Sequence, residues 1–184
     1  MVRAKLLLHL GRVKDEKLDD AGEAEAAYRR ALAADPANPE ALQALTGLFK
    51  RRGRIRELVI TLEQRFEAAA TLDEKKATLL EAARLYDGEL SDVDEAVAAL
   101  RRLLDLEPDD AAAVGMISGI LRREKRWADL LSVYARARDL APDEAKRVEW
   151  QLQMAVLQEN ELGDDEAAVD SYRSVLGADD ANVA

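Results

Sequence analysis

The chain has 184 residues, no cysteine, one histidine and a formal net charge of −10, from 37 acidic and 27 basic residues. The lack of cysteine excludes disulfides and cysteine-ligated metal sites, and the single His9 excludes a histidine pair for metal binding or acid–base catalysis. No apolar run approaches the roughly 20 residues that span a bilayer, and the apolar start of the chain lacks a cleavage site. We therefore expect a soluble, cytoplasmic protein.

Apolar residues recur with the 3.6-residue period of an amphipathic helix along the chain. In the third predicted helix, Asn38 and Pro39 suit the start, since asparagine caps exposed N–H donors and proline has no N–H to leave unpaired. Gly53 suits the following turn because glycine adopts a left-handed conformation at little cost. In chain order the predicted helices are 3–17, 21–34, 38–52, 54–70, 73–88, 92–106, 110–124, 126–140, 143–161 and 164–178.

The same residue pattern returns every 72 positions, as between Pro36 and Pro108. Each 72-residue unit also splits in two, at steps of 34, 38, 34 and 38 residues between Ala24, Leu58, Ala96, Leu130 and Ala168. A period on this scale is typical of a helical solenoid, in which each repeat packs on its neighbours. We therefore expect five helix pairs in one continuous array over residues 1–184, with units 1–72 and 73–144 and a partial unit 145–184.

The segment 24–38, AEAAYRRALAADPAN, resembles the tetratricopeptide repeat, whose unit is a helix–turn–helix of about 34 residues. Ala24 matches the family's small residue, Tyr28 its aromatic residue and Asp35-Pro36 its closing turn. The resemblance extends over the whole chain. It implies an all-α, right-handed superhelical solenoid of about five antiparallel helix pairs, in which 34- and 38-residue repeats alternate. Leu58 and Leu130 depart from the family pattern, because each places a large residue at the small-residue position.

Catalytic and metal-binding patterns are missing from the sequence. Acidic clusters such as Asp109-Asp110 and Asp164-Asp165 stand at helix starts, where carboxylates cap N–H donors, and they lack the ligand spacing of a calcium loop. The serines within helices lie outside a nucleophile elbow, and there is no glycine-rich phosphate loop. We therefore predict no catalytic residue, no metal ligand and no cofactor, and a protein that is not an enzyme.

The resemblance implies a protein–protein interaction scaffold, because in this family the first helix of each pair lines a concave groove that binds a peptide or protein segment. Carried over by position, the candidate partner-binding groove is Leu8, Arg12, Gln43, Gly47, Lys50, Arg51, Leu80, Arg84, Gly115, Gly119, Arg122, Arg123 and Leu152. Its cations make this face relatively basic within an acidic chain, so we expect an acidic or amphipathic partner segment. An alternative stays open: the cations pair with helix dipoles and the leucines face a neighbouring helix.

Other binding classes and functions follow from the same residues. The acidic excess disfavours nucleic acid and a membrane surface as partners, since both attract basic proteins. A second hypothesis is a structural segment that stacks end to end, on further repeats or as a homodimer. Its contact would be the apolar stripe Val169, Tyr172, Val175 and Leu176 of the last helix. A third is the recognition arm of a larger enzyme.

Overall fold

A computed structural model describes the backbone of residues 2–182 and the side chains of residues 2–177. Within these residues the chain forms ten α-helices and no strand, which confirms the predicted all-α fold. Each predicted helix is present, and the predicted ends differ from the observed ones by a few residues. The helices are α1 Val2–Leu18, α2 Ala21–Ala34, α3 Pro39–Arg51, α4 Ile55–Ala68, α5 Leu72–Leu85, α6 Val93–Leu106, α7 Ala111–Arg123, α8 Trp127–Asp139, α9 Glu144–Leu157 and α10 Asp165–Asn182.

The helix starts are fixed by side-chain caps that recur in successive repeats. Asn38 accepts a hydrogen bond from the backbone N–H of Ala41 at 2.9 Å, and Asp110, 72 residues later, accepts one from Ala113 at 2.7 Å. Such caps satisfy N–H groups that have no partner inside the helix. Cap positions therefore explain why the sequence predicts these helix starts well.

The turns within helix pairs also recur at 72-residue spacing, although the residue types differ. Asp19, Ser91 and Gly163 each adopt a left-handed conformation, with φ of 49°, 52° and 64°. The next N–H donates across six residues, from Asp92 to the carbonyl of Tyr86 at 2.8 Å and from Asp164 to that of Gln158 at 3.0 Å. The segments Tyr86–Leu90 and Gln158–Leu162 form π-helical turns after α5 and α9. Backbone geometry thus preserves the repeat where side chains do not.

The chain divides into two compact units, residues 1–99 and 100–184. In the first unit, α1 to α5 pack around a buried apolar cluster in which Tyr28 and Phe49 are the largest side chains. A Cβ atom at Gly11 would lie only 2.4 Å from Cε1 of Tyr28. The predicted Leu10-Gly11 pair therefore has a packing reason, since glycine lets α1 approach the ring. The prediction of one continuous array over 1–184 stays a prediction.

In the second unit the buried side chains include Leu103, Ile117, Leu121, Leu130 and Tyr134. The ring of Tyr134 stacks on that of Trp150 with centroids 5.5 Å apart, which joins α8 to α9. The outer stripe of α10 is accessible: Val169 is 45% exposed and Leu176 is 64% exposed. The aromatic side chains therefore serve mainly in packing, as the sequence predicts.

Candidate binding site

In the first unit, the predicted cations of the first helices of the pairs, α1 and α3, carry ion pairs to neighbouring first helices. Arg12 on α1 donates to Glu40 on α3 at 2.8 Å, and Arg51 on α3 donates to Asp15 on α1 at 2.5 Å. Lys50 lies 3.1 Å from Glu81 on α5. The prediction of a basic surface therefore does not hold for these three cations, because each is balanced by a carboxylate of an adjacent repeat.

One predicted groove residue is not on the surface. Leu8 is 5% exposed and belongs to the apolar cluster of the first unit, so it packs inside the fold, and its place in the groove is a wrong prediction. Its repeat equivalents Leu80 and Leu152 are half-buried and exposed. Gln43 and Arg84 are also exposed, and Gly47 is half-buried beside the guanidinium of Arg51.

In the second unit, a cleft of about 370 Å³ lies between α7, α8 and α9 and includes the predicted residue Gly115. Val114, Gly115 and Ser118 of α7 form one wall, and Tyr134 of α8 and Trp150 of α9 line the cleft beside them. Gly115 is exposed and a Cβ atom there would meet nothing within 4 Å. The cleft is therefore open to solvent at the side that glycine leaves free.

The remaining predicted residues of α7 lie outside this cleft. Gly119 is exposed. Arg122 donates to the hydroxyl of Tyr134 at 2.7 Å, and Arg123 pairs with Glu124 at 2.9 Å. Arg122 therefore orients a cleft aromatic residue from behind, which its sequence position did not suggest.

Ser118 gives the cleft a polar atom. The residue is 7% exposed, and its Oγ has no hydrogen-bond partner among the residues that the structure describes. At the same place in the preceding repeat, Thr46 donates to the carbonyl of Leu42 at 2.8 Å. A buried hydroxyl without a partner is unfavourable by about 1–3 kcal/mol. Ser118 is therefore suited to bond a group that enters the cleft.

The rim of the cleft carries a close ion pair. Lys146 lies 2.7 Å from a carboxylate oxygen of Glu149, and both side chains line the opening. The hydrogen bond to Glu149 raises the pKa of Lys146 above its ordinary value. Both groups are charged at neutral pH, so the apolar interior opens through a polar rim.

The first unit shows why the cleft is large. The equivalent space there is about 130 Å³ and is lined by Gln43 and Arg65, whereas the second unit has Gly115 and Ala137 at these positions. Two long side chains are thus replaced by two small ones on the same backbone. Sequence reasoning from first helices alone missed Ala137, because it stands on the second helix of its pair. Comparing the two repeat copies position by position would have revealed it.

Other features of a reactive site are missing from the described residues. No group of three or more histidine, cysteine, aspartate or glutamate side chains there is arranged to hold a metal ion. Within the same part of the chain, no helix is both long and apolar enough to cross a membrane.

Comparison with known families agrees with this architecture. A family model described as tetratricopeptide repeat matches residues 4–38, and a second model with the same description matches residues 77–110 and 151–178. Together these segments are more than half of the chain. The chain belongs to the tetratricopeptide repeat family. The matched segments contain Ala24, Ala96 and Ala168 but neither Leu58 nor Leu130, in line with the departure noted in the sequence.

Solved structures support the tetratricopeptide repeat fold. MamA is similar with a TM-score of 0.50 and 17% sequence identity, over 97% of this chain and 92% of that chain. A tetratricopeptide repeat protein from Parabacteroides merdae gives a TM-score of 0.50 and 17% identity, over 96% of this chain and 67% of that one. No curated protein matches the chain. Tetratricopeptide repeat proteins generally act as scaffolds for protein interactions and are generally not catalytic.

Proposed function

We propose that the chain binds a segment of a partner protein in the cleft between α7, α8 and α9. The observation that carries the proposal is the apolar cleft of about 370 Å³ that Gly115 leaves open over Tyr134 and Trp150. Its volume lies within the roughly 300–1,000 Å³ of typical ligand sites. The first-helix location agrees with the resemblance-based prediction for Gly115, while the arginines and lysines of the first unit take no part.

The cleft favours a segment with an aromatic or large aliphatic side chain that also offers a hydrogen-bonding group. Tyr134 and Trp150 supply a stacking surface, and aromatic rings bury much apolar area with defined geometry. The hydroxyl of Ser118 can donate or accept one hydrogen bond inside the cleft. A partner of this kind satisfies the buried hydroxyl and fills the apolar space in one step.

The test replaces Gly115 with the residue that closes the equivalent space in the first unit. Peptides are selected from a random display library on the 184-residue chain, and their affinities are compared for the wild type, Gly115→Gln and the matched control Gly119→Gln. Gly119 is also an exposed α7 glycine with open space around it, but it lies outside the cleft. We expect Gly115→Gln to weaken binding about tenfold or more, equivalent to about 1.4 kcal/mol, and Gly119→Gln to leave it unchanged.

Fluorescence of Trp150 locates the bound peptide, in a chain that carries Trp127→Phe so that one tryptophan remains. Binding in the cleft changes this signal. Equal affinities of the two glutamine variants, or binding without any change in Trp150 emission, would refute the assignment.

A second candidate function is self-association through α10, favoured by the exposed side chains of Val169 and Leu176 on one stripe. Sedimentation velocity compares the wild type with Val169→Lys, Leu176→Lys and with a control of equal charge change, Asp170→Asn, Ser174→Lys, on the polar side of α10. Self-association that the first variant alone abolishes supports stacking. A wild type that stays monomeric at high concentration contradicts it.

A further inference from the structure

A second, larger groove lies on the other face of the first unit, between α2 and α4. Its volume is about 760 Å³, and its lining includes Leu32, Leu45, Phe49 and Ile60. Leu45 and Phe49 are buried members of the core and form the floor, whereas Ile60 is 60% exposed. A β-branched apolar side chain therefore stands open to solvent within a groove that reaches down to the core.

The rim of this groove is acidic. Its charged lining residues are Arg29 on α2 and Glu57, Glu63 and Glu67 on α4, so carboxylates exceed cations by two. Arg29 is itself paired with Glu25 at 2.8 Å. The hydrogen bond from Arg54 holds the pKa of Glu57 below its ordinary value, which keeps this carboxylate ionised. The charge of the rim therefore complements a cationic ligand.

The second unit shows that the repeat backbone does not require such an opening. At the equivalent place the space is about 160 Å³. Ser132 stands where the first unit has Ile60, and an ion pair of 2.5 Å between Arg136 and Asp105 occupies the positions of Gln64 and Ala33. The open, apolar form is thus a property of the side chains of the first unit.

The walls of the groove favour a helical ligand over an extended one. An extended peptide needs backbone hydrogen-bond partners, but α2 and α4 use their own N–H and C=O groups within the helices. A ligand helix satisfies its backbone internally and presents apolar side chains along one face, spaced at i, i+3, i+4 and i+7. The groove therefore matches an amphipathic helix.

We propose that the α2–α4 groove binds an amphipathic helix of a partner protein, with its apolar face on Leu32 and Ile60 and its lysines or arginines facing Glu63 and Glu67. This site is separate from the α7–α9 cleft and does not depend on the proposed function of that cleft. A partner with a basic helix is attracted by the rim and desolvates the exposed isoleucine.

The probe is a fluorescein-labelled synthetic peptide of about 18 residues, five helical turns, with leucines on one face and lysines on its flanks. A second peptide has glutamates in place of the lysines. Anisotropy is measured on the 184-residue chain. We expect the lysine peptide to bind about tenfold or more tightly than the glutamate peptide, and added salt to weaken it.

The closing variant Ala33→Asp, Gln64→Arg installs the ion pair that the second unit already has, without a change in net charge. We expect it to weaken the lysine peptide about tenfold, and Ile60→Ser to weaken it about fivefold. The control Ala34→Asp, Ala70→Arg makes the same change of charge at exposed positions outside the groove and leaves affinity unchanged. Gly115→Gln also leaves it unchanged, which separates this site from the α7–α9 cleft.

Three results would overturn the proposal. The first is equal affinity of the lysine peptide for the wild type and the closing variant, and the second is equal binding of the lysine and glutamate peptides. The third is dimerisation of the wild type that the closing variant alone abolishes, which would make a second copy of this chain the occupant. Absence of lysine-peptide binding up to about 1 mM would also reject it.

Discussion

The close approach of Gly11 to Tyr28 gives the sharpest stability prediction. A methyl group at position 11 would lie 2.4 and 2.5 Å from two ring carbons, whereas carbon atoms prefer about 3.5–4.0 Å. Tyr28 is 1% exposed, so the ring has no free space into which it can move. Overpacking of this kind costs about 1–3 kcal/mol, and alanine returns about 1 kcal/mol through its better helix propensity. We expect Gly11→Ala to lower the free energy of unfolding by about 1–2 kcal/mol.

The sign of the effect should reverse when the ring is removed. The sequence carries Ala83 and Leu100 at the positions one repeat after Gly11 and Tyr28. In a Tyr28→Leu background, Gly11→Ala is therefore expected to raise the free energy of unfolding by about 0.5–1 kcal/mol. The coupling between the two positions is then about 2 kcal/mol, as is usual for residues in contact.

Urea unfolding followed by circular dichroism at 222 nm measures this cycle. Gly119→Ala serves as the control, since that glycine is exposed with open space around it and should gain up to about 1 kcal/mol. If Gly11→Ala is as stable as the wild type while Tyr28 is present, the packing explanation of this glycine is refuted.

Three further predictions concern the second unit. Leu104 is 6% exposed, so Leu104→Ala should cost about 2–5 kcal/mol in urea unfolding, and a loss below about 0.5 kcal/mol would contradict its burial. Ser118→Ala should leave the free chain as stable or up to about 1 kcal/mol more stable, because an unpartnered hydroxyl is removed, yet it should weaken peptides bound in the cleft; a clearly destabilised variant would mean that the hydroxyl has a partner. The hydrogen bond from Arg126 lowers the pKa of Asp129, so its stabilisation is present above the unfolded pKa of about 3.9 and is lost as pH falls through the lower folded pKa. Asp129→Asn should therefore flatten the dependence of unfolding free energy on pH below about pH 4, and an unchanged slope would exclude this contribution.

The helices could be predicted from the sequence because their determinants are local. Caps such as Asn38 and Asp110 and the apolar stripes act within a few residues of each helix end, and the 72-residue repeat tests each assignment again. Leu8 was less predictable. It lies in the run Leu6-Leu7-Leu8, where three adjacent leucines give no period, and packing against the other helices of the cluster decides that Leu7 and Leu8 are buried while Leu6 is exposed.

The candidate site was predictable only in part, because its properties depend on contacts between repeats. Arg12 and Glu40 are 28 residues apart, and one repeat later the sequence has Arg84 and Ala112, so the ion pair does not recur. The repeat pattern therefore gives no sign of it. Gly115 was placed correctly on an accessible face, but the cleft also requires the small side chain of Ala137 from another helix.

The π-helical turns after α5 and α9 have a consequence for changes in chain length. One residue inserted within an α-helix rotates every following side chain by about 100° and would move the apolar stripe off the core. At Tyr86–Leu90 and Gln158–Leu162 the chain instead takes up a wider turn, which a left-handed residue closes before the next helix starts. The helix that follows therefore begins in its usual orientation. These turns are the places where repeats of this chain can gain or lose a residue without repacking, and where segments from other repeats can be joined.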